Sequence, residues 1–521
     1  MSILKKTGAF VALSASIGAA HALPLADYDA AVVNIFYGGA TATDNVLENI
    51  WLASAGGLCV AGTTDIYRTV VADNERVVFC RVDSSTVPGF PAAPGLKVAF
   101  HKESRGGSSN GVVPLIAVGS GQAHALRWQD MNQLRASGGA GCGSNAVAAT
   151  ATLQAYTDHP SCTTFLTAVD TAGSATFDVN GGISDVEPAL SFPPPTADEI
   201  ALLTTKPGLA IQFGVPVTVA LYRALQVGQG ITAKAECDTA LEQDTTACVP
   251  SLTRSQIRGL YSGRIVNWTR LRDINGNALP SAPGVTAPAS NVVHMCRRVG
   301  SSGTQASFET YWLAQRCESG SPAFALPNDG SSITDTTWIP ANVANGTRNA
   351  GVSSGNVRTC LNTYNTANRW GVGVLSTEVT NAQMVGFRMV AVDGAAPSLE
   401  HVANGDYDFF TENTLNRVAD GFPGALLATD PRRIAIEYIE TNLGLPAIIS
   451  EINLGFAGRP WGDGGTLAIA GGFAQNPTPA TKAAMASNPV NTVSRSTGGT
   501  TNNCNPPIAI RDTPVNGSPN P

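Results

Sequence analysis

The chain has 521 residues, enough for two or more domains with sizeable cores. Charged residues make up only 14%, while glycine (54) and proline (32) are plentiful, which excludes a coiled coil or a charged disordered chain and fits a loop-rich secreted protein. The net charge of −7 excludes a broad basic surface for nucleic acid, so any anion must be held by a local site.

The first elements are a short basic start, Met1 to Lys6, an apolar run from Thr7 to Ala19, and Ala20-His21-Ala22. That order predicts a secretory signal peptide over residues 1–22, cleaved after Ala22, with no cysteine following for a lipid anchor. No later stretch reaches the length of about 18 apolar residues needed for a membrane span. A periplasmic or secreted location is therefore expected. The ten cysteines all lie beyond residue 22 and predict up to five disulfides. Cys59–Cys80, Cys142–Cys162 and Cys237–Cys248 are plausible as near neighbours, but spacing leaves the connectivity open.

Ala30 to Tyr37 reads as a buried strand, followed by Gly38-Gly39-Ala40-Thr41-Ala42-Thr43-Asp44 and a helix from Asn45 to Ala53. A second strand, Leu96 to His101, leads to Gly106-Gly107-Ser108-Ser109-Asn110-Gly111. A third, Ala175 to Val179, leads to Gly181-Gly182-Ile183-Ser184-Asp185. In α/β sheets ligands collect where such loops converge at the carboxyl ends of strands. The Ala/Gly/Ser-rich stretch 112–173 reads as an insertion carrying Cys142 and Cys162.

A long apolar run, Leu209 to Leu221, marks the crossing into a second lobe. A helix from Ser255, broken at Gly263, precedes a strand over Asn291 to Cys296. Then comes Arg298-Val299-Gly300-Ser301-Ser302-Gly303-Thr304 and a helix over Ala306 to Ala314. The first N–H groups of a helix lack intrahelical partners, and serine, threonine and arginine placed beside them supply donors for an oxyanion. Trp370 to Leu375 is a further strand, Val390 to Gly394 carries the chain back, and Arg432 to Asn442 is helical. The proline-rich residues 475–521 have too few apolar groups to order themselves, although Cys504 offers a tether.

Taken together, Gly259-Leu260-Tyr261-Ser262-Gly263-Arg264-Ile265-Val266-Asn267-Trp268 followed by Arg298-x-x-x-Ser302-Gly303-Thr304 resembles the phosphate-binding periplasmic component of bacterial phosphate ABC importers. Gly39-Ala40-Thr41 is similar to that family's first binding loop, Gly107-Ser108-Ser109 to its second and Ser184-Asp185 to its third. Asp393 to Glu400 with Asn404-Gly405-Asp406-Tyr407 is similar to its return segment. The resemblance covers about residues 30 to 470, apart from the insertion.

It implies an α/β protein of the two-lobe type II periplasmic-binding-protein fold, with a hinge, a disulfide-bearing insertion and a disordered C-terminal tail. Lobe 1 would comprise residues 23–210 and 392–474, lobe 2 residues 211–391. The implied ligand is inorganic phosphate or a similar oxyanion, and the implied partner an ABC permease. The protein would be a monomer and not an enzyme, with no catalytic residue, cofactor, metal or nucleic acid. Thr41 and Ala42 would offer donors, Ser108 a hydroxyl, Asp185 the acceptor, and Arg298, Ser302, Gly303 and Thr304 the second half of the cage. A carboxylate beside an anion makes sense because phosphate near neutral pH still carries a proton to donate, whereas sulfate does not.

The sequence departs from the family at Gly300, where an aspartate usually orients the arginine, and at Ala42, where an aromatic is usual. Arg298 must then be held in another way or contribute more net charge. Two other readings stand beside this one. Gly107-Ser108-Ser109-Asn110-Gly111 satisfies G-x-S-x-G, so a secreted hydrolase would use Ser109 as nucleophile, although Pro114 falls where the next helix should be under way. Alternatively the fold is repurposed as a secreted scaffold or surface protein. The histidines form no metal-ligand spacing and read as ordinary core or surface residues, as Trp268 and Trp312 read as core.

Overall fold

The computed structural model describes residues 23–69, 75–122, 126–162, 166–168, 179–240, 242–314, 316–317, 347–469, 486–496 and 500–509. The expected signal peptide and nearly all of the expected strand Ala175–Val179 lie outside these residues.

The fold is α/β. Its first large sheet forms because apolar runs end in glycine turns that send the chain back across the layer. The strand Val33–Gly39 pairs in parallel with Leu96–Glu103 on one side and with Gly181–Ser184 on the other. Beyond Leu96–Glu103 lie Glu75–Val82 and then Asp65–Thr69. Tyr156–Cys162 extends that edge by pairing in parallel with Asp65–Thr69, so part of the 112–173 stretch is a continuation of this sheet. On the other edge, Gly181–Ser184 meets Phe410–Val418, which meets Leu203–Thr218.

The second sheet is built around a parallel strand, His294–Arg298, flanked by Thr347–Gly351 and Gly371–Gly373. The 16-residue strand Leu203–Thr218 belongs to both sheets. Its first half pairs with Phe410–Val418 and Thr466–Ile469, and its last residues pair with Gly371–Gly373 and Phe387–Val392. The apolar run expected to cross between lobes is thus one continuous strand, turning into the helix Val219–Gly228 only after Thr218.

Two large apolar cores flank this strand. One packs Ile35, Tyr37, Trp51 and Phe100 against the helices Pro431–Asn442 and Pro446–Asn453. The other gathers Phe213, Tyr261, Trp268, Phe308, Trp312 and Trp370. The helices lie close to where the sequence predicts them: Asp44–Leu52, Arg254–Tyr261, Gly303–Leu313 and Pro431–Asn442. No helix among the described residues is long and apolar enough to cross a membrane.

All ten cysteines are paired. Cys59–Cys80, Cys142–Cys162 and Cys237–Cys248 join near neighbours, whereas Cys296–Cys360 and Cys317–Cys504 span 64 and 187 residues. Within the 475–521 stretch expected to lack order, residues 486–496 and 500–509 are folded. Val490 joins the first core and Val490–Asn491 pairs with Thr466–Ile469, and polar anchors add to this. Arg495 is buried and donates to the carbonyls of Asp408 (2.7 Å), Phe410 (3.2 Å) and Asn505 (2.7 Å). Asn503 donates to Glu187 Oε2 (2.6 Å) and to the Glu412 carbonyl (2.9 Å).

Several buried carboxyls sit above their ordinary range because burial strips them of water: Asp185 at about 6, Glu440 at about 7, Glu103 at about 8, and Glu378 well above. The folded protein then holds protons that the unfolded chain has already released, so stability declines as pH rises through these values. Burial drives His101 down to about 3 and His294 to about 4, which opposes the trend only below the unfolded histidine value near 6.5. Lowering the pH from 8.5 to 6.5 should therefore raise the melting temperature by at least about 2 °C, the response of a mid-sized domain to roughly 1 kcal/mol. A flat or opposite trend in calorimetric scans would mean that these carboxyls are ionised in the folded protein.

Candidate functional site

Four strand ends meet between the two cores. Thr41 and Ala42 follow the strand Val33–Gly39 in a single 3-10 turn that runs into the helix Asp44–Leu52. This turn is pinned by Lys102, a buried lysine whose Nζ donates to the carbonyls of Gly39 (3.0 Å) and Ala40 (3.4 Å) and pairs with Asp44 (3.3 Å). Ser108 lies in a second 3-10 turn, Gly107–Gly111. Gly106 and Gly107 have φ of +85° and +79°, a backbone region that glycine adopts without strain. Asp185 follows Gly181–Ser184, and its N–H donates to the Ser108 hydroxyl at 3.0 Å.

From the second sheet, Arg298 ends His294–Arg298, and Ser302 precedes the helix Gly303–Leu313. Arg298 is fully buried. Its Nε donates to the Gly351 carbonyl (3.2 Å), Nη1 to Ser354 Oγ (3.2 Å), and Nη2 to the Val352 carbonyl (2.9 Å) and Thr41 Oγ1 (3.4 Å). Neutral oxygens thus orient the guanidinium where Gly300 offers no carboxylate. Its positive charge is accordingly left for other groups in the junction. Burial lowers Arg298 to about 10, with Asp185 and Asp44 opposing, so it stays charged at neutral pH.

The residues predicted for the site come together. Thr304 Oγ1 donates to Asp185 Oδ2 at 3.3 Å, and the Ser109 N–H donates to the Ser301 carbonyl at 3.0 Å. A Cβ on Gly303 would lie 2.1 Å from Ser108 Oγ and 2.6 Å from Asp185 Cβ, so only glycine permits this approach. Asp185 Oδ1 and Ser302 Oγ are buried and have no hydrogen-bond partner among the described residues. Burial pushes the Asp185 carboxyl up to about 6, against the Arg298 charge and hydrogen bonds from Thr304 and Ser108.

Beside this junction opens a cavity of about 310 Å³, reached past Thr41, Ala42 and Ser354. Arg68, Arg76, Arg358 and Glu378 also line it, as do Asp158 and Pro160 from the strand Tyr156–Cys162. Lys102, Ser354 and Glu378 escape the sequence reading. Ser354 had a usable signal, since Gly351-Val352-Ser353-Ser354-Gly355 repeats the strand, hydroxyl, helix-start pattern ahead of the helix Ser354–Thr366. Lys102 stands in a strand that also carries Lys97, His101 and Glu103, so its charge alone does not mark its role.

Ser109 donates its N–H across the cleft, and its hydroxyl accepts from the Phe192 N–H at 3.0 Å. The histidines within the described residues are engaged elsewhere. His159 pairs with Asp65 (2.9 Å), His101 with Asn34 (2.9 Å), His294 stacks on Tyr364, and His401 faces the Ala396 carbonyl (3.0 Å).

No protein-family model matches the chain, and no curated protein matches it. Solved structures with a similar outline include one described as a phosphate ABC transporter substrate-binding protein with bound phosphate, from Clostridium perfringens. It has 13% identity and a TM-score of 0.38, covering 80% of this chain and 97% of that one. An ABC-type phosphate transport receptor from Vibrio cholerae has 16% identity and a TM-score of 0.30, covering 53% of this chain and 79% of its own. PstS from Borrelia burgdorferi has 11% identity and a TM-score of 0.30, covering 81% and 97%. With every TM-score below 0.5, the function of this chain has to be read from its own cleft.

Gly303→Ala should keep the two halves of the junction apart by steric overlap at Ser108 and Asp185. The variant should retain wild-type circular dichroism while its radius of gyration in small-angle scattering exceeds that of the wild type. An unchanged radius would show that the glycine is not needed for closure.

Proposed function

We propose that the protein is an extracytoplasmic solute-binding protein of the type II periplasmic-binding-protein kind, which captures inorganic phosphate between its lobes and delivers it to an ABC-type permease. One observation carries this reading: a buried, charged Arg298 shares a junction with the unpartnered Asp185 Oδ1 and Ser302 Oγ at the start of an 11-residue helix. Removing water from a multiply charged anion is costly, and charge-assisted hydrogen bonds worth about 1.5–3 kcal/mol each offset that cost. Arg298, Ser302, Thr304, Ser108, Thr41 and the N–H groups near Gly303 and Ala42 are the donors. Asp185 is the one acceptor, suited to an oxyanion that keeps a proton.

Calorimetry on protein refolded to strip any bound ligand tests this directly. Phosphate and arsenate should bind and sulfate should not, and no heat with phosphate at near-millimolar concentration would end the proposal. Arg298→Ala and Asp185→Ala should each weaken phosphate by roughly 100-fold, the cost of unpairing a buried charged group, about 3 kcal/mol. Ser301→Ala, whose part is a backbone carbonyl, should bind like wild type; equal losses in all three would place the site elsewhere.

The Asp185 pKa adds a selectivity test. Above about 6 the ionised carboxylate accepts from phosphate and repels sulfate; below it the protonated carboxyl can donate to either. The preference for phosphate over sulfate should therefore shrink by roughly tenfold between pH 7.5 and pH 5, the worth of one charged hydrogen bond. Asp185→Asn should show low selectivity at both pH values.

A further inference from the structure

We infer that the cavity beside Thr41, Ala42 and Ser354 is a second subsite of the same cleft, taking the hydroxylated carbon portion of a small phosphate monoester, such as a polyol or sugar phosphate. The inference rests on the oxyanion reading above, with the phosphoryl group seated against Arg298 and Asp185. Size is the first argument. An inorganic oxyanion of five heavy atoms fills a small part of about 310 Å³, a volume within the lower range of clefts for organic ligands, roughly 300–1,000 Å³.

Position is the second. Thr41 and Ser354 both line the cavity and both accept from Arg298, so a group leaving the phosphoryl oxygen on that side enters the cavity directly. Part of the wall comes from Asp158 and Pro160, which belong to the strand that the 112–173 stretch adds to the first sheet.

Charge is the third. Arg68 is ion-paired with Glu48 and Asp158, and Arg76 with Glu48 (3.1 Å) and Asp44 (3.3 Å). The wall is thus rich in hydrogen-bonding groups but close to balanced in charge, which suits hydroxyl groups better than a second phosphoryl dianion.

Glu378 is the fourth. It is 5% exposed, lines the cavity, and neither of its carboxyl oxygens has a hydrogen-bond partner among the described residues. Burial, with the charges of Asp185 and Asp44 nearby, pushes its carboxyl well above the usual carboxylate range and so favours the protonated form. A protonated carboxyl donates one hydrogen bond and accepts others, which matches a ligand hydroxyl. A buried pair of polar atoms left unmatched costs stability, so a ligand that satisfies them gains affinity.

Calorimetry with inorganic phosphate, glycerol 3-phosphate and pyrophosphate on the refolded full chain tests the subsite. Glycerol 3-phosphate should bind at least about tenfold tighter than phosphate. Glu378→Ala should remove that advantage while phosphate affinity stays within about threefold, and Glu378→Gln, which keeps a donor and an acceptor, should retain most of it. Should Glu378→Ala fail to fold, Asn45→Trp, which obstructs the cavity from its rim, should produce the same selective loss. Phosphate binding without an ester advantage overturns the subsite and leaves the oxyanion reading intact. Failure of all three ligands to bind overturns both. A preference for pyrophosphate over the ester overturns the assignment to a hydroxylated group.

Discussion

A fully buried arginine that donates to neutral oxygens is the constraint on which the cleft depends. Arg298 could not be sealed from water alone, because an uncompensated buried charge costs several kcal/mol. The carbonyls of Gly351 and Val352 and the hydroxyls of Ser354 and Thr41 solvate it in place of water. These partners come from the strand end before the helix Ser354–Thr366 and, through Thr41, from the opposite sheet. Holding one guanidinium therefore ties the two sheets together beside two helix starts. Dipoles and not carboxylates hold it directly, while the nearby charges of Asp185 and Asp44 offset part of its own. That is how a chain with a net charge of −7 can still present a positive point.

The strand Leu203–Thr218 ties the two sheets of the junction together. It pairs with both sheets, and Phe410–Val418 runs beside its first half. The two sheets are thus joined through continuous backbone, with an apolar core on each side of it. What holds the closed arrangement is a short set of polar contacts: Ser109 to Ser301, Gly106 to Val352, Thr304 to Asp185 and Arg298 to Thr41. None is strong by itself, and Asp185 Oδ1 and Ser302 Oγ remain unmatched within it.

Much of this was legible in the sequence because the chemistry and the turns coincide. Thr41, Ser108, Asp185, Arg298 and Ser302 each stand where an apolar run ends in glycine and hydroxyl residues, so strand, turn and donor are read together. The apolar runs that predict strands also find Leu96–Glu103 and His294–Arg298 within a few residues. Lys102 and Glu378 were not legible, because their roles come from burial, and a lone lysine or glutamate gives no sign of being sealed off. The pairing of Cys317 with Cys504, 187 residues apart, follows from the fold and not from spacing. The expectation for residues 475–521 weighed apolar content alone and could not see that Arg495 and Asn503 would find buried carbonyls and carboxylates.

Those late residues bear on the cleft as well. Asn503 bridges Glu187, just beyond Asp185, and Glu412, on a strand shared with the crossing strand. Cys504 packs with Val186 and Leu190 from the first lobe and Ala306 from the cleft helix, and its disulfide runs to Cys317 just past that helix. The segment is therefore fastened to elements from both sides of the junction. The disulfide is a covalent tie that limits the freedom of the chain between Cys317 and Cys504. Arg316 adds to this by donating to the Leu190 carbonyl (2.7 Å), the Gly300 carbonyl (2.8 Å) and Glu309 (2.6 Å). The carbonyl of Gly300, the residue whose lack of a side chain frees Arg298, thus helps to fasten the rim. The loop that offers the arginine no carboxylate is also one of the points at which Arg316 fastens the junction.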